Sequence, residues 1–271
     1  MATALKRVPH PSGDVITFNP AKHVYSFQGS RCKSVSAVLN GYFPFDAERV
    51  AKLVAQKQDK TPQEVLDEWK LSAQLGTNVH SHIEALLLSQ PPPVFSVRQG
   101  LEDKFIPVAT AAVDRVKADY DIIAVETIVV SAKYKIAGTI DFLAKNKRTG
   151  AVMVGDWKTT NSASTGFKFS SFEGPCPGLC RHVPNAKLSR YGLQTMLYGH
   201  ILQEEGYGKL IDPSIGTVPL EYGLVRFGPD QFGEIQADFT RVVLDDFTAV
   251  DGDADLPATT LLPRILALAV E

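Results

Sequence analysis

Two apolar segments, Gly138-Thr139-Ile140-Asp141-Phe142-Leu143 and Val152-Met153-Val154-Gly155-Asp156-Trp157-Lys158, each carry one aspartate and are joined by Lys145-Asn146-Lys147-Arg148-Thr149-Gly150. The joining stretch is polar and ends in glycine, as a hairpin connection does. Strand alternation puts Val152, Val154, Asp156 and Lys158 on one face, with Met153, Gly155 and Trp157 on the other. Two antiparallel strands joined there bring Asp141 close to Asp156. Neighbouring carboxylates repel unless a cation intervenes, and hard oxygen ligands suit Mg²⁺ or Mn²⁺. A lysine beside such a metal orients water or steadies charge on a phosphate. Taken alone, an Asp-x-Lys on a strand more often marks a solvated face with a weak ion pair.

The surrounding pattern predicts an α/β (α+β) fold with a central mixed sheet flanked by helices. A hairpin is expected from Val15–Phe18 and His23–Phe27. Ser34 precedes a helical run, Asp46 caps Ala47–Gln58, and Thr61-Pro62-Gln63-Glu64 is a helix start with proline in the first turn. That helix is expected to run to about Leu75, break at Gly76-Thr77, and resume over Asn78–Ser89. Gln90–Val94 is a stiff connector. A helix over Leu101–Tyr120 with a kink or restart at Pro107 precedes three strands, Ile122–Ala132, Lys135–Ala144 and Ala151–Thr159. An irregular stretch, Asn161–Leu188, leads to the helix Tyr191–Glu205 and to strands near Glu221–Phe227 and Gly233–Phe239. The tail, Asp251–Glu271, is acidic and then apolar, as a last helix would be. A single domain is expected over 1–271, with a hairpin and helical region at 1–95, a core at 96–245 and a tail at 246–271.

At 271 residues, 44% hydrophobic and 21% charged, the chain has the composition of a soluble globular protein. Its net charge of −2 argues against a broad basic surface for nucleic acid. A metal-dependent site escapes that objection, because bound cations restore positive potential locally. Cys32, Cys176 and Cys180 are too few for a disulfide framework, and an intracellular setting follows. Cys176-x-x-x-Cys180 resembles half a metal site that His182 can complete as mixed zinc, but free thiols in a loop is the favoured reading. No apolar run reaches membrane-helix length, so no membrane partner is expected.

Four further elements bear on the carboxylate pair. Thr77 as a helix cap places His80 in the first turn with Glu84 one turn on, where the imidazole either ligates a metal or pairs with Glu84. His82 points elsewhere, to the surface. Glu126 lies in the apolar strand Val125–Val130, where it either joins the acidic centre or faces solvent. Gln194 and Tyr198 share one face of an amphipathic helix, and Lys187, Arg190 and Tyr191 before them suit contacts to a nucleic-acid strand.

In this order the elements resemble the PD-(D/E)XK nuclease superfamily, specifically its RecB-like branch of lambda-type and mitochondrial genome maintenance exonucleases. Gly76-Thr77-Asn78-Val79-His80 is similar to the branch's G-x-x-x-H signature, Gly138–Asp141 to its second motif, Asp156-Trp157-Lys158 to D/E-x-K, and Gln194–Tyr198 to Q-x-x-x-Y. The resemblance covers Ser34 to Leu202 and implies a restriction-endonuclease-like core with an N-terminal helical region. It further implies that Asp141, Asp156 and the Trp157 backbone carbonyl hold Mg²⁺ or Mn²⁺, that His80 completes or supports the site, and that Lys158 positions the hydrolytic water. Glu126 matches an acidic position used in part of the branch, while Gln194 and Tyr198 orient the centre and the DNA. The expected activity is exonucleolytic hydrolysis of DNA that is single-stranded or has free ends, in replication, recombination or repair, with proteins of those processes as partners. With three cysteines rather than four, no iron–sulfur cluster is expected. An RNA endonuclease of the cap-snatching type and an inactive nucleic-acid-binding module of nuclease descent are the alternatives.

Overall fold

A computed structural model describes residues 5–95, 100–160, 176–243, 249–251, 254–256 and 258–269. The N-terminal segment is a four-stranded antiparallel meander: β1 (Lys6–Pro9), β2 (Val15–Asn19), β3 (Val24–Phe27) and β4 (Ser30–Ser34). The β2–β3 hairpin is the expected one. Strands β1 and β4 are additional, too short and too polar to show in the periodicity.

Three helices follow, each started by the side chain read from the sequence. Ser34 accepts from the Ala37 amide at the head of α1 (Val35–Asn40), Asp46 from the Arg49 amide at α2 (Ala47–Gln58), and Thr61 forms a reciprocal capping box with Glu64 at α3 (Pro62–Leu87). The expected break at Gly76-Thr77 does not occur. Helix α3 is continuous over 26 residues, and Thr77 caps nothing; its hydroxyl donates back to the Ala73 carbonyl. Leu75, Val79 and Ile83 are fully buried on one stripe that spans the glycine, and their burial outweighs the roughly 1 kcal/mol that an interior glycine costs. His80 therefore sits deep in a helix rather than in a first turn. Helix α4 (Glu102–Asp119) likewise runs through Pro107 without ending.

The remaining strands are β5 (Tyr120–Ser131), β6 (Ile136–Asn146), β7 (Val152–Thr159), β8 (Leu220–Pro229) and β9 (Ile235–Val242), with α5 (Lys187–Glu204) between β7 and β8. Together β1 to β9 form one mixed sheet, so the expected α+β class is the observed one. A two-stranded ribbon, β10 (Ala249–Asp251) and β11 (Ala254–Leu256), precedes the tail helix α6 (Ala258–Leu268). One face of the sheet, with Val152 and Val154 of β7, packs on Leu193, Met196, Leu197 and Ile201 of α5. The other face, with Phe142 and Trp157, packs on α3 and α4. Gly155 is required there: a Cβ would land inside the Phe142 ring, which stacks on Trp157.

Strand β6 has an unusual set of partners. Strand β5 occupies one edge along its whole length, from Ser131↔Ile136 to Tyr120↔Asn146. The opposite edge is shared. Parallel β4 pairs at Ile136 and Ala137, and antiparallel β7 pairs from Phe142 to Lys145. Between them, Gly138 to Asp141 have no strand partner on that edge, and the sheet opens.

Candidate metal centre

Asp141 is the last residue of that opening. The β6–β7 ladder ends with Phe142↔Gly155, so the next register pair would be Asp141 with Asp156. The strands diverge there, and the Trp157 amide, which would lack a ladder partner on that side, donates to Asp141 Oδ2 at 2.8 Å. Lys158 lies two residues beyond Asp156 on the same face. Its ammonium is 2.8 Å from Asp156 Oδ1 and 2.7 Å from Oδ2, the first contact alone having hydrogen-bond geometry. Asp156 Oδ2 is thus a buried oxygen without a hydrogen bond among the described residues.

His80 reaches the same point from α3. Its Nδ1 is 3.5 Å from Asp141 Oδ2, and the Trp157 backbone lies close enough to favour the protonated ring, an influence smaller than those of burial and Lys158. The sequence left open whether His80 pairs with Glu84 or joins the acids; it joins the acids. His82, expected at the surface, is buried and bonds the Thr110 hydroxyl, because α3 packs that face on α4.

Glu126 stands at the register position opposite Asp141, between the pairs Val125↔Phe142 and Thr127↔Ile140. Its φ of 48° places it in the left-handed region, costly for a non-glycine residue. The sheet therefore departs from regular pairing at both acids. From α5, Gln194 Nε2 donates to the Tyr198 hydroxyl at 2.9 Å, and the Tyr198 ring lies over Gly138, where a Cβ would collide with it. The Tyr191 ring covers Lys158, whose Nζ is 4.7 Å from the ring centroid. Arg190 is drawn away to Asn40 Oδ1, and Lys187 is exposed at the start of α5. Of the three residues expected to touch nucleic acid, Tyr191 alone joins the centre.

Burial and mutual repulsion set the charge states. Burial pushes the Asp156 carboxyl up to about 6; Lys158 opposes this and Asp141 reinforces it. Burial raises Asp141 also, against the pull of Lys158 and the Trp157 amide. Burial, then Asp141 and Glu84, push Glu126 up to about 8. Burial and the Lys158 charge hold His80 down to about 4, leaving it neutral with a free lone pair. Burial alone would lower Lys158, but Asp156 and Asp141 overcome it and raise the ammonium to about 12. The Tyr198 phenol is held above its ordinary range, by burial first.

Glu84 adds charge to the centre, and Arg226 lies on the strand next to Lys158. Glu84, one turn beyond His80, acts on both Asp141 and Glu126. Arg226 sits beside Lys158 in the β7–β8 register, fully buried, and pairs with Asp238 at 2.7 Å. A buried arginine in an apolar strand is the signal that marks it. Cys32, Cys176 and Cys180 are free and buried, and burial, with the neighbouring Cys176, pushes the Cys180 thiol up to about 12.

No three His, Cys, Asp or Glu side chains form a ready-made metal cage among the described residues. The donors nonetheless fit a hard divalent cation: Asp156 Oδ2 is buried and lacks a hydrogen bond, and the Asp141 carboxylate and neutral His80 imidazole are 3.5 Å apart. Mg²⁺ takes few protein ligands and completes its shell with water and substrate oxygens. No described helix is long and apolar enough to cross a membrane. The sequence matches no protein-family model and no curated protein.

Proposed function

We propose that this protein is a divalent-metal-dependent deoxyribonuclease that hydrolyses phosphodiester bonds in single-stranded or end-exposed DNA. The observation that carries the reading is the pair Asp141 and Asp156. Both are raised by burial, they stand at the first unpaired register of β6 and β7, and Lys158 projects from the same face. Two such carboxylates are costly to hold without a cation. The order of elements from Gly76 to Tyr198, similar to that of the RecB-like PD-(D/E)XK nucleases, supports the same reading.

Asp141, Asp156 and the Trp157 carbonyl would hold Mg²⁺ or Mn²⁺, with His80 as a further donor or as the group that orients the carbonyl. Bound there, the cation supplies Lewis-acid stabilisation of phosphate charge and lowers the pKa of a water. Lys158, raised to about 12, stays protonated at neutral pH, so it positions and neutralises rather than removing a proton. Its ammonium donates to the attacking water or to a non-bridging phosphate oxygen. Tyr191 shields Lys158 from solvent on one side. Gln194 donates to the Tyr198 hydroxyl, and Tyr198, which keeps its proton throughout the working range, has that proton left to donate beside the two acids.

Incubation of the purified protein with end-labelled single-stranded, double-stranded and circular DNA, in Mg²⁺, Mn²⁺ or EDTA, tests the reading. Cleavage is expected with metal, absent in EDTA, and lost in Asp156→Ala and Lys158→Ala. Metal-independent cleavage, or full activity in both variants, overturns it. RNA cut in preference to DNA points to the endoribonuclease alternative. A closed circle cut as fast as a linear strand removes the end requirement.

A further inference from the structure

The N-terminal meander differs in charge from the rest of the chain. Residues 1–45 contain Lys6, Arg7, Lys22, Arg31 and Lys33 against one acid, Asp14, in a protein whose net charge is −2. Between the meander and α1 lies an open cleft of about 340 Å³ lined by His23, Tyr25, Arg31, Cys32, Lys33 and Ser34. Its titratable lining includes no carboxylate. Arg31 and His23 are exposed, and Arg31 makes no ion pair among the described residues. Lys33, also exposed, donates only to a backbone carbonyl, that of Ala269, at 3.3 Å.

The cleft and the metal centre lie along the same edge of β6. Lys33 pairs with Ile136 at the β4 end of the shared β6 edge, five residues before Asp141, a separation of roughly 16 Å along a strand. Between them the Tyr25 hydroxyl shares a 2.8 Å hydrogen bond with Thr139, in the stretch of β6 where the sheet opens. Tyr25 and Lys6 are near enough to Glu126 to exchange charge effects with it.

We infer that Arg31 and Lys33, with His23 at the rim, grip the phosphate backbone of the nucleic-acid strand on one side of the bond being cut. The inference rests on the nuclease reading above. It gives the centre what its own acids deny it: a cationic anchor at the β4 end of the opening of β6, which offsets the repulsion between a polyanion and Asp141, Asp156 and Glu126. Contacts of this kind position the strand without reading its sequence.

The test compares Arg31→Ala/Lys33→Ala with the parent and with Lys52→Ala/Lys209→Ala, which removes two exposed lysines elsewhere. Affinity for a labelled single-stranded oligonucleotide is measured against salt in an Asp156→Asn background. Hydrolysis of a small chromogenic phosphodiester, too short to reach the cleft, is measured in the otherwise wild-type protein. The expected result is an affinity loss of about tenfold or more at low salt and a salt slope shallower by about 1.4, with small-diester hydrolysis and melting temperature kept. Unchanged affinity and slope overturn the inference while leaving the nuclease reading intact. Equal loss of small-diester hydrolysis also overturns it, since the residues then act on the centre itself. A parent that neither binds the oligonucleotide nor hydrolyses the diester removes the nuclease reading and the cleft's role with it.

Discussion

The Trp157 amide donates to Asp141 Oδ2 at 2.8 Å, at the register where β6 and β7 stop pairing. A backbone donor that would be orphaned by the diverging strands thus fixes one of the two acids, while Trp157 itself is clamped between Phe142 and Phe227. The position of Asp141 is set by the core, not by a mobile loop, and this pre-organisation lets two carboxylates persist side by side.

Lys158 compensates both acids in the absence of metal. Lys158→Met should destabilise the metal-free protein by roughly 3 kcal/mol at pH 7.5, because it leaves buried carboxylates unpaired. The loss should shrink as pH falls from 7.5 towards 6, because without Lys158 to lower it the Asp156 carboxyl takes up its proton above the wild-type value of about 6. Denaturant unfolding in EDTA at pH 5 and pH 7.5 measures it. Equal loss at both pH values would place the effect in packing rather than charge.

Glu126 titrates near pH 8 in the folded chain against 4.5 as the ordinary value. A carboxyl raised in this way stabilises the fold fully below pH 4.5, and that contribution is lost as pH rises through 8. Stability of the metal-free protein should therefore decline from pH 5 to pH 9. Glu126→Gln should flatten the decline, gaining on the order of 2 kcal/mol at the alkaline end after allowance for partial solvent screening. Thermal melts across that range decide it, and an unchanged slope would contradict the assignment.

His80→Ala should weaken metal affinity about 10- to 100-fold while shifting the metal-free melting temperature little, because the imidazole is partly exposed and orients donors rather than filling the core. Calorimetric titration with Mn²⁺ gives the number. Wild-type affinity in the variant would reduce His80 to a neighbour of the site.

Gly138→Ala places a Cβ against the Tyr198 ring. Displacing that ring disturbs the Gln194–Tyr198 bond, at a stability cost of roughly 1–3 kcal/mol. Cleavage rate should fall further than stability alone explains, with metal affinity kept. A variant with the wild-type rate would show that Tyr198 need not stand where it does.

Local signals in the sequence recovered the caps at Ser34, Asp46 and Thr61, the three central strands and the shared face of Asp156 and Lys158, because each depends on neighbours in the chain. The uninterrupted α3 was hidden because its glycine is tolerated only for the sake of Leu75, Val79 and Ile83 packing on distant strands. The split edge of β6 was equally invisible. It arises from β4, a polar strand of five residues that pairs in parallel with a segment a hundred positions away. That insertion opens the sheet beside Asp141 and turns a common Asp-x-Lys pattern into a confined centre. Glu126 was legible as a costly acid in an apolar strand, but its place opposite Asp141 follows from β5–β6 register alone.

Titration of the wild-type protein with Mn²⁺ at pH 7.5, followed by the loss of the free-ion electron paramagnetic resonance signal and repeated on Asp141→Asn/Asp156→Asn, bears most directly on the carboxylate pair. Saturable binding in the wild type that disappears in the double variant is the predicted result. Equal Mn²⁺ uptake by both proteins, or none by either, would contradict a metal centre at Asp141 and Asp156.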